Sequence, residues 1–386
     1  MRTGSWRCRR ERRLLIDCVE AADGSAPQPR PPGNLNWDVF SSAAESHGVV
    51  GAAWLGVRHA IPPNAGMYDA YAAGRATHLA LVEETHRAVH ILTHAGIRCA
   101  VVKGVVLAET IYPRPDLRKS LDVDVLVEPA RFAVAVRALE GAGYRLLERN
   151  WSLMKQLVPR AVRLLSPNGA LVDLQWSLMP DAAMRYEGNA ATTLLDRARP
   201  VRIREVQVPT LDVADTFIHV CVHAVQSGAD RLLWLEDVRM VSSTLEPDEM
   251  RRRAREWSLV LPVAFALLRA GRVLRSRSNP SQIAMAQRLV PAGSWRVFSS
   301  AASRLPIPCV WNPEAGSVVH SIGRAARRDP AQSNRELWRR AMARLRRRGP
   351  NSLERFWTSE DPASVLYDAN DAEHRDAYFE AVEADG

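Results

Sequence analysis

The apolar positions of this chain change their period along its length. The first twenty residues allow a short helix. From Trp37 to Gly96 apolar residues recur at helical spacing with no strand-like run. Leu79, Val82, Val89 and Leu92 mark one face of an amphipathic helix over 79–95. Between 97 and 176 the spacing shortens. CAVV at 99–102 reads as a short buried strand, followed by a helix over 104–111. A Pro-rich loop, YPRPDLRKS, leads into LDVDVLV at 121–127, a second strand. Pro129 opens a helix to Leu139 that stops at Gly141 and Gly143, and YRLL at 144–147 is a further strand. In VPRAVRLLSPNGALVDLQW the turn Pro167-Asn168-Gly169 predicts a hairpin. Two short β runs follow, VRIRE and VQVPT. Helices are then predicted over Asp212–Val225 and Leu232–Ser242 and again within 247–275. Residues 333–348 suggest a basic helix ended by Gly349-Pro350.

These elements amount to an α+β fold: a small mixed or antiparallel sheet with flanking helices, between N-terminal and C-terminal helical regions. The expected segments are 1–34, ending in a Pro- and Gly-rich linker; 35–96, helical; 97–209, the α/β core; 210–290, a helical supporting domain; and 291–386, a basic segment with an acidic tail. With 386 residues, 47% of them hydrophobic, the chain is long and apolar enough to build a core without disulfide or metal staples, and wholesale disorder is excluded. No apolar run approaches the roughly 20 residues of a membrane helix. The basic start is interrupted by Asp17 and Glu20 and reads as no signal peptide. Cys8, Cys18, Cys99, Cys221 and Cys309 are scattered and form no CxxC pair, which excludes a sequence-evident zinc ribbon or disulfide framework and makes a reducing, cytoplasmic setting the expectation.

The formal charge is +9, but only Lys103, Lys119 and Lys155 of the 52 basic residues are lysine, an arginine bias expected of a GC-rich genome. Residues 320–357 hold eleven Arg against three acids and residues 358–386 nine acids against Arg375, so the two segments nearly cancel and read as self-paired or solvated surface. Nucleic acid as a partner rests only on the arginine-rich stretch around 335–348.

Asp122 and Asp124 are the sharpest chemical feature. Two residues apart on a strand, they share a face, with carboxylates about 7 Å apart along it. A divalent cation offsets their repulsion, and hard oxygen donors of this kind suit Mg²⁺. Asp173, in LVDLQW, alternates with apolar Val172, Leu174 and Trp176 and shares a face with Gln175. If its strand lies beside 121–127, three carboxylates converge and two metal ions fit between them. Lys103-Gly104 sits at a strand-to-helix junction, where a glycine and free helix N–H groups admit phosphate. Arg118 lies just before the DxD strand, within reach of the same phosphates. His219 and His223 are four apart on one helix face, but no Glu or third ligand completes a zinc motif, so they read as packing or substrate-contacting groups, with Asp237 on the next helix. There is no Walker loop, no GxSxG and no GxGxxG.

Together these residues resemble the uncharacterised nucleotidyltransferase family of the DNA polymerase β-type superfamily. The resemblance is carried by Lys103-Gly104, Leu107-Ala108, Tyr112-Pro113, Arg118, Asp122 and Asp124, Leu126-Val127, Gly143-Tyr144 and Val172-Asp173-Leu174-Gln175-Trp176. It extends over roughly 37–275, with Gln175 where the family usually has His. It implies transfer of a nucleoside monophosphate from a nucleoside triphosphate, ATP first, to a hydroxyl or phosphate acceptor with release of pyrophosphate. Asp122, Asp124 and Asp173 would be the catalytic and metal-binding acids for two Mg²⁺ ions. Lys103, Gly104 and Arg118 would bind the nucleotide, with Gln175, His223 and Asp237 as substrate contacts. A small molecule or peptide natural product is the expected acceptor. Protein nucleotidylation (AMPylation) is the alternative, and a non-catalytic nucleotide-binding or RNA-binding module the competing class.

Overall fold

The alternation of Asp122, Asp124 and Leu126 with Val123, Val125 and Val127 decides the centre of the fold. In the computed structural model this stretch is a strand whose three valines are at most 1% exposed. The structure describes residues 8–24, 26–62, 66–148, 150–179, 182–274, 280–290, 299–300, 307–312, 331–333, 335–336, 338–339 and 372–385. The basic helix expected over 333–348 lies mostly outside these residues. So does most of the arginine-rich stretch expected to pair with the acidic tail.

Among the described residues, three helices come first: α1 (Arg9–Ala21), α2 (Trp37–His47) and α3 (Val50–Val57), then the long α4 (Met67–His94). Asn36 caps α2 by accepting from the Val39 N–H. On α4 the residues Val82, Val89 and Leu92 face the core, whereas Leu79 is 45% exposed, off the stripe. The α/β unit follows: β1 (Cys99–Val102), α5 (Gly104–Thr110), β2 (Asp122–Val127), α6 (Pro129–Gly141), β3 (Arg145–Leu146), α7 (Trp151–Leu157), β4 (Ala161–Leu165), β5 (Leu171–Gln175), α8 (Ala191–Arg197), β6 (Arg199–Ile203) and β7 (Val206–Thr210). Seven strands form one mixed sheet in the order β3-β4-β5-β2-β1-β7-β6. β2 runs parallel to β5 and β1 parallel to β7, and the other neighbours are antiparallel. The β4–β5 hairpin turns at Gly169, whose φ of +80° few other residues tolerate.

The two faces of the sheet meet different partners. Val101, Val123, Val125, Val172 and Leu174 join a cluster with α4, α6 and α7. Ala100, Val102 and Leu126, on the face that carries Asp124, join a second cluster with the N-terminal helices and with α9 (Val213–Gln226), α10 (Leu232–Ser242), α11 (Pro247–Glu256) and α12 (Val260–Val273). The acids therefore lie between the sheet and a helical layer. A further helix, α13 (Pro280–Leu289), packs on α12.

Two distant contacts close the molecule. α14 (Ala372–Asp385), inside the acidic tail, packs against α6 and α7, with the Phe379 ring centroid 6.2 Å from that of Phe132 and Tyr378 donating to the Pro159 carbonyl. At the other end, Cys8 and Cys309 form a disulfide across 301 residues. The scattered cysteines gave no hint of this bond. Cys18, Cys99 and Cys221 are free and buried. Among the described residues no helix is long and apolar enough to cross a membrane.

Candidate active site

Strand register brings the three acids together. Asp124 of β2 stands directly beside Asp173 of β5, with Asp122 two residues away on the same face. Asp124 is 5% exposed. Burial and then the charge of Asp124 raise the Asp122 carboxyl to about 6 and the Asp173 carboxyl to about 7. Three carboxylates on one buried face hold more negative charge than their surroundings offset.

The nearest compensation is Lys103. Its Nζ lies 3.2 Å from Asp124 Oδ1. Lys103 follows β1 and precedes α5 with φ +54° and ψ −136°, a conformation that costs a non-glycine residue about 1–3 kcal/mol. This elbow between strand and helix directs the lysine across to β2, beside Val102, the register partner of Asp124. Gly104 follows with φ +35°, where a side chain is strained although a Cβ would meet nothing closer than the Asp122 carbonyl at 3.5 Å. α5 spans only seven residues, under two turns. Its dipole is correspondingly small, so the positive charge at this junction comes from the Lys103 ammonium rather than from the helix.

Gln175 ends β5 at 0% exposure, so it is not open to a substrate. Its side chain donates through Nε2 to Asp124 Oδ1 and accepts at Oε1 from Arg160 Nη1. Lys103 and Gln175 thus share one oxygen of Asp124, leaving the other without these partners. The sequence reading missed Arg160. The signal was present, because Arg160 directly precedes Ala161, the register partner of Gln175 in the hairpin.

Arg118 also departs from expectation. Its guanidinium does not face open solvent where phosphates would arrive. It is 6% exposed and grips Asp237 of α10 in two bonds of 2.8 and 2.9 Å, while Nη1 donates to the Gly104 carbonyl and to Ser120 Oγ. Tyr112 donates to the same Asp237 at 2.7 Å. Asp237, expected at the substrate, is instead the anchor that ties the Pro-rich loop and the start of α5 to the helical layer. His223 is half-buried, its ring edge-on to Trp234 with centroids 5.4 Å apart, and His219 is 3% exposed.

The residues suit a divalent cation by the chemistry of their donors: hard carboxylate oxygens, three on one face, carrying unbalanced charge. Among the described residues no three His, Cys, Asp or Glu side chains are already gathered round one point. In their present arrangement the ammonium of Lys103 and the amide of Gln175 take the contacts on Asp124 Oδ1.

Comparison with known proteins follows the same direction. Among solved structures, the Thermotoga maritima CCA-adding enzyme complexed with tRNA aligns over 79% of this chain and 92% of that chain, at 10% identity and a TM-score of 0.20, a likeness that carries no argument about fold or function. No curated protein matches. The model of the uncharacterised nucleotidyltransferase family matches residues 33–275, which spans α2 through α12 and every residue of the acid cluster. With more than half of its length matched, the chain belongs to the family of uncharacterised nucleotidyltransferases, and nucleotidyl transfer is its class of activity.

Proposed function

We propose that the protein is a Mg²⁺-dependent nucleotidyltransferase. It moves a nucleoside monophosphate from a nucleoside triphosphate, ATP first, to a hydroxyl on a small molecule or peptide natural product and releases pyrophosphate. The observation that supports this reading most is the register that sets Asp124 beside Asp173, with Asp122 on the same face and Lys103 against Asp124.

Asp122 and Asp124 would hold both Mg²⁺ ions and Asp173 one of them. Such ions supply Lewis acidity and neutralise charge on the phosphates and the leaving group. The protein's own groups orient the reactants. Lys103 can turn from Asp124 to the phosphates by a small movement of a flexible side chain. Gly104 lets the backbone come close to them. Asp173 accepts a hydrogen bond from the attacking hydroxyl and holds it in line with the α-phosphate. Gln175 and Arg160 keep Asp124 from swinging away. The helical layer over the acid face restricts water. Positioning and charge compensation carry chemistry of this kind.

Enclosure favours a small acceptor. Lys103 and Asp124 are 8% and 5% exposed, so the reacting groups would have to meet below the surface. A small molecule or extended peptide fits that better than a folded protein or an RNA helix. The test is incubation with α-³²P-labelled ATP, GTP, CTP and UTP, Mg²⁺ and cell extract, followed by separation of small molecules, protein and RNA. Label in the small-molecule or peptide fraction is expected. Label confined to protein or to RNA would replace this acceptor. Absence of Mg²⁺-dependent nucleotide binding and of transfer to any fraction would overturn the enzymatic reading.

A further inference from the structure

α9 leaves the sheet at the end where the acids lie. β7 runs parallel to β1, with Thr210 beside Val101 and its hydroxyl donating to the Val101 carbonyl at 2.7 Å. The chain therefore leaves β1 into Lys103 and β7 into α9 at one edge of the sheet, and α9 packs on the side that carries Asp124. His219 and His223, four residues apart, lie on one side of this helix. Burial, then the positive charges of Lys103 and Arg160, hold both imidazoles neutral. The His223 ring rests on Trp234 of α10, three residues before Asp237. Asp237 holds Arg118, and Arg118 donates to the carbonyl of Gly104. Trp234, Asp237 and Arg118 thus link the His223 ring to the Lys103-Gly104 elbow, and the Lys103 charge acts on both imidazoles. Neither histidine hydrogen-bonds to another described residue.

We infer that His219 and His223, backed by Trp234, form a binding subsite for the ribose hydroxyls of the nucleoside triphosphate. A neutral imidazole presents one N–H donor and one bare nitrogen. That pair matches a hydroxyl, which both donates and accepts, and gives no charge to a phosphate or carboxylate. Anions fall to Lys103 instead. The ribose is the hydroxyl-bearing part of the nucleotide joined directly to its phosphates, so it is the group that lies next to a phosphate site at Lys103. A hydroxyl-bearing ligand would supply the hydrogen bonds that no described residue makes to these two rings. This subsite rests on the nucleotidyl-transfer reading and adds to it which part of the nucleotide the helical layer reads.

Isothermal titration of ATP, 2′-deoxy-ATP and 3′-deoxy-ATP in Mg²⁺, with no acceptor, tests it in wild type, His219→Phe and His223→Phe. Wild type is expected to prefer ATP to at least one deoxy analogue by about tenfold, the worth of one good hydrogen bond. The Phe variants should bind ATP about tenfold more weakly and bind that analogue as wild type does, so that the preference disappears. Nucleotide-free melting temperatures check folding. His219→Gln and His223→Gln, which keep a donor and an acceptor, should retain part of the preference and serve where a Phe variant does not fold. Equal binding of the three nucleotides by wild type, or an unchanged preference in the variants, overturns the subsite alone. Failure of wild type to bind ATP, GTP, CTP or UTP overturns the activity reading and the subsite with it.

Discussion

Asp124 depends on its neighbours. Gln175 donates to Oδ1 and is itself fixed by Arg160, so a non-titrating amide supports this carboxylate. Gln175→Leu removes that donor and leaves Arg160 Nη1 only the Ser177 carbonyl at 3.5 Å. Activity and Mg²⁺ affinity should fall about 10–100-fold, the usual cost of losing a ligand's supporting hydrogen bond, and Gln175→His should recover part of it. A Mg²⁺ titration of the transfer rate reads this directly. Asp122 and Asp173 support a second expectation. Their carboxyls titrate at about 6 and about 7 in the folded protein, above the unfolded value near 3.9. Between these values the folded state holds more protons than the unfolded state, so their burial costs stability progressively as pH rises from about 4 to 7. In metal-free protein, Asp173→Asn should therefore raise the melting temperature at pH 8 and change it little below pH 4. A melting temperature lowered at pH 8 would show that the carboxylate is already compensated. The acids were legible in the sequence because strand alternation puts i and i+2 on one face. The orientation of Arg118 was not, since a loop arginine beside a DxD strand reaches either phosphates or a carboxylate from a helix more than a hundred residues away.

At the level of elements, the hairpin, the two DxD-flanking valines and the order of helices after β7 followed from period and turn chemistry. The register of β2 against β5 did not. It is a parallel pairing across the 43 residues between Val127 and Leu171, and shared burial of Val123 with Val172 and of Val125 with Leu174 selects it. The connection between α10 and the β1–α5 elbow was equally hidden, because it is made by one ion pair. Arg118 and Asp237 are 6% and 2% exposed, so breaking the pair strands a charge in the interior. Asp237→Asn should destabilise the protein by about 3 kcal/mol and raise KM for the nucleotide by shifting Gly104. Urea denaturation checks the first effect and initial-rate kinetics the second. Joint replacement of both partners by Leu and Met should recover much of the stability but not the KM.

The whole molecule is held by segments that composition presents as solvated. α14 carries five of the tail's acids, yet Tyr378, Phe379 and Val382 are at most 5% exposed against α6 and α7. Apolar residues at helical spacing inside an acidic run are easily outweighed by the charge around them. Tyr378→Ala should cost about 3 kcal/mol in denaturant unfolding, through lost packing on Phe132 and Trp151 and the lost bond to Pro159. At the opposite end, residues 307–312 bind the N-terminal helices. His47 accepts from the Leu232 N–H through Nδ1 and donates from Nε2 to the Pro308 carbonyl, so it is a neutral imidazole with its proton on Nε2. Trp311 donates to Asp230 and packs against Trp234, within reach of the wall formed by His223. The His47 contacts join residues 185 and 261 positions apart, and no local pattern foretells them.

The central claim is that Asp122, Asp124 and Asp173 act as one catalytic centre. Its most direct measurement is the rate of label transfer from α-³²P nucleoside triphosphate, in Mg²⁺, by wild type and by Asp124→Asn, with equal melting temperatures confirming that both are folded. A fall of at least about 10³-fold, or about 4 kcal/mol in the barrier, is expected. A variant that transfers label at the wild-type rate would contradict the account.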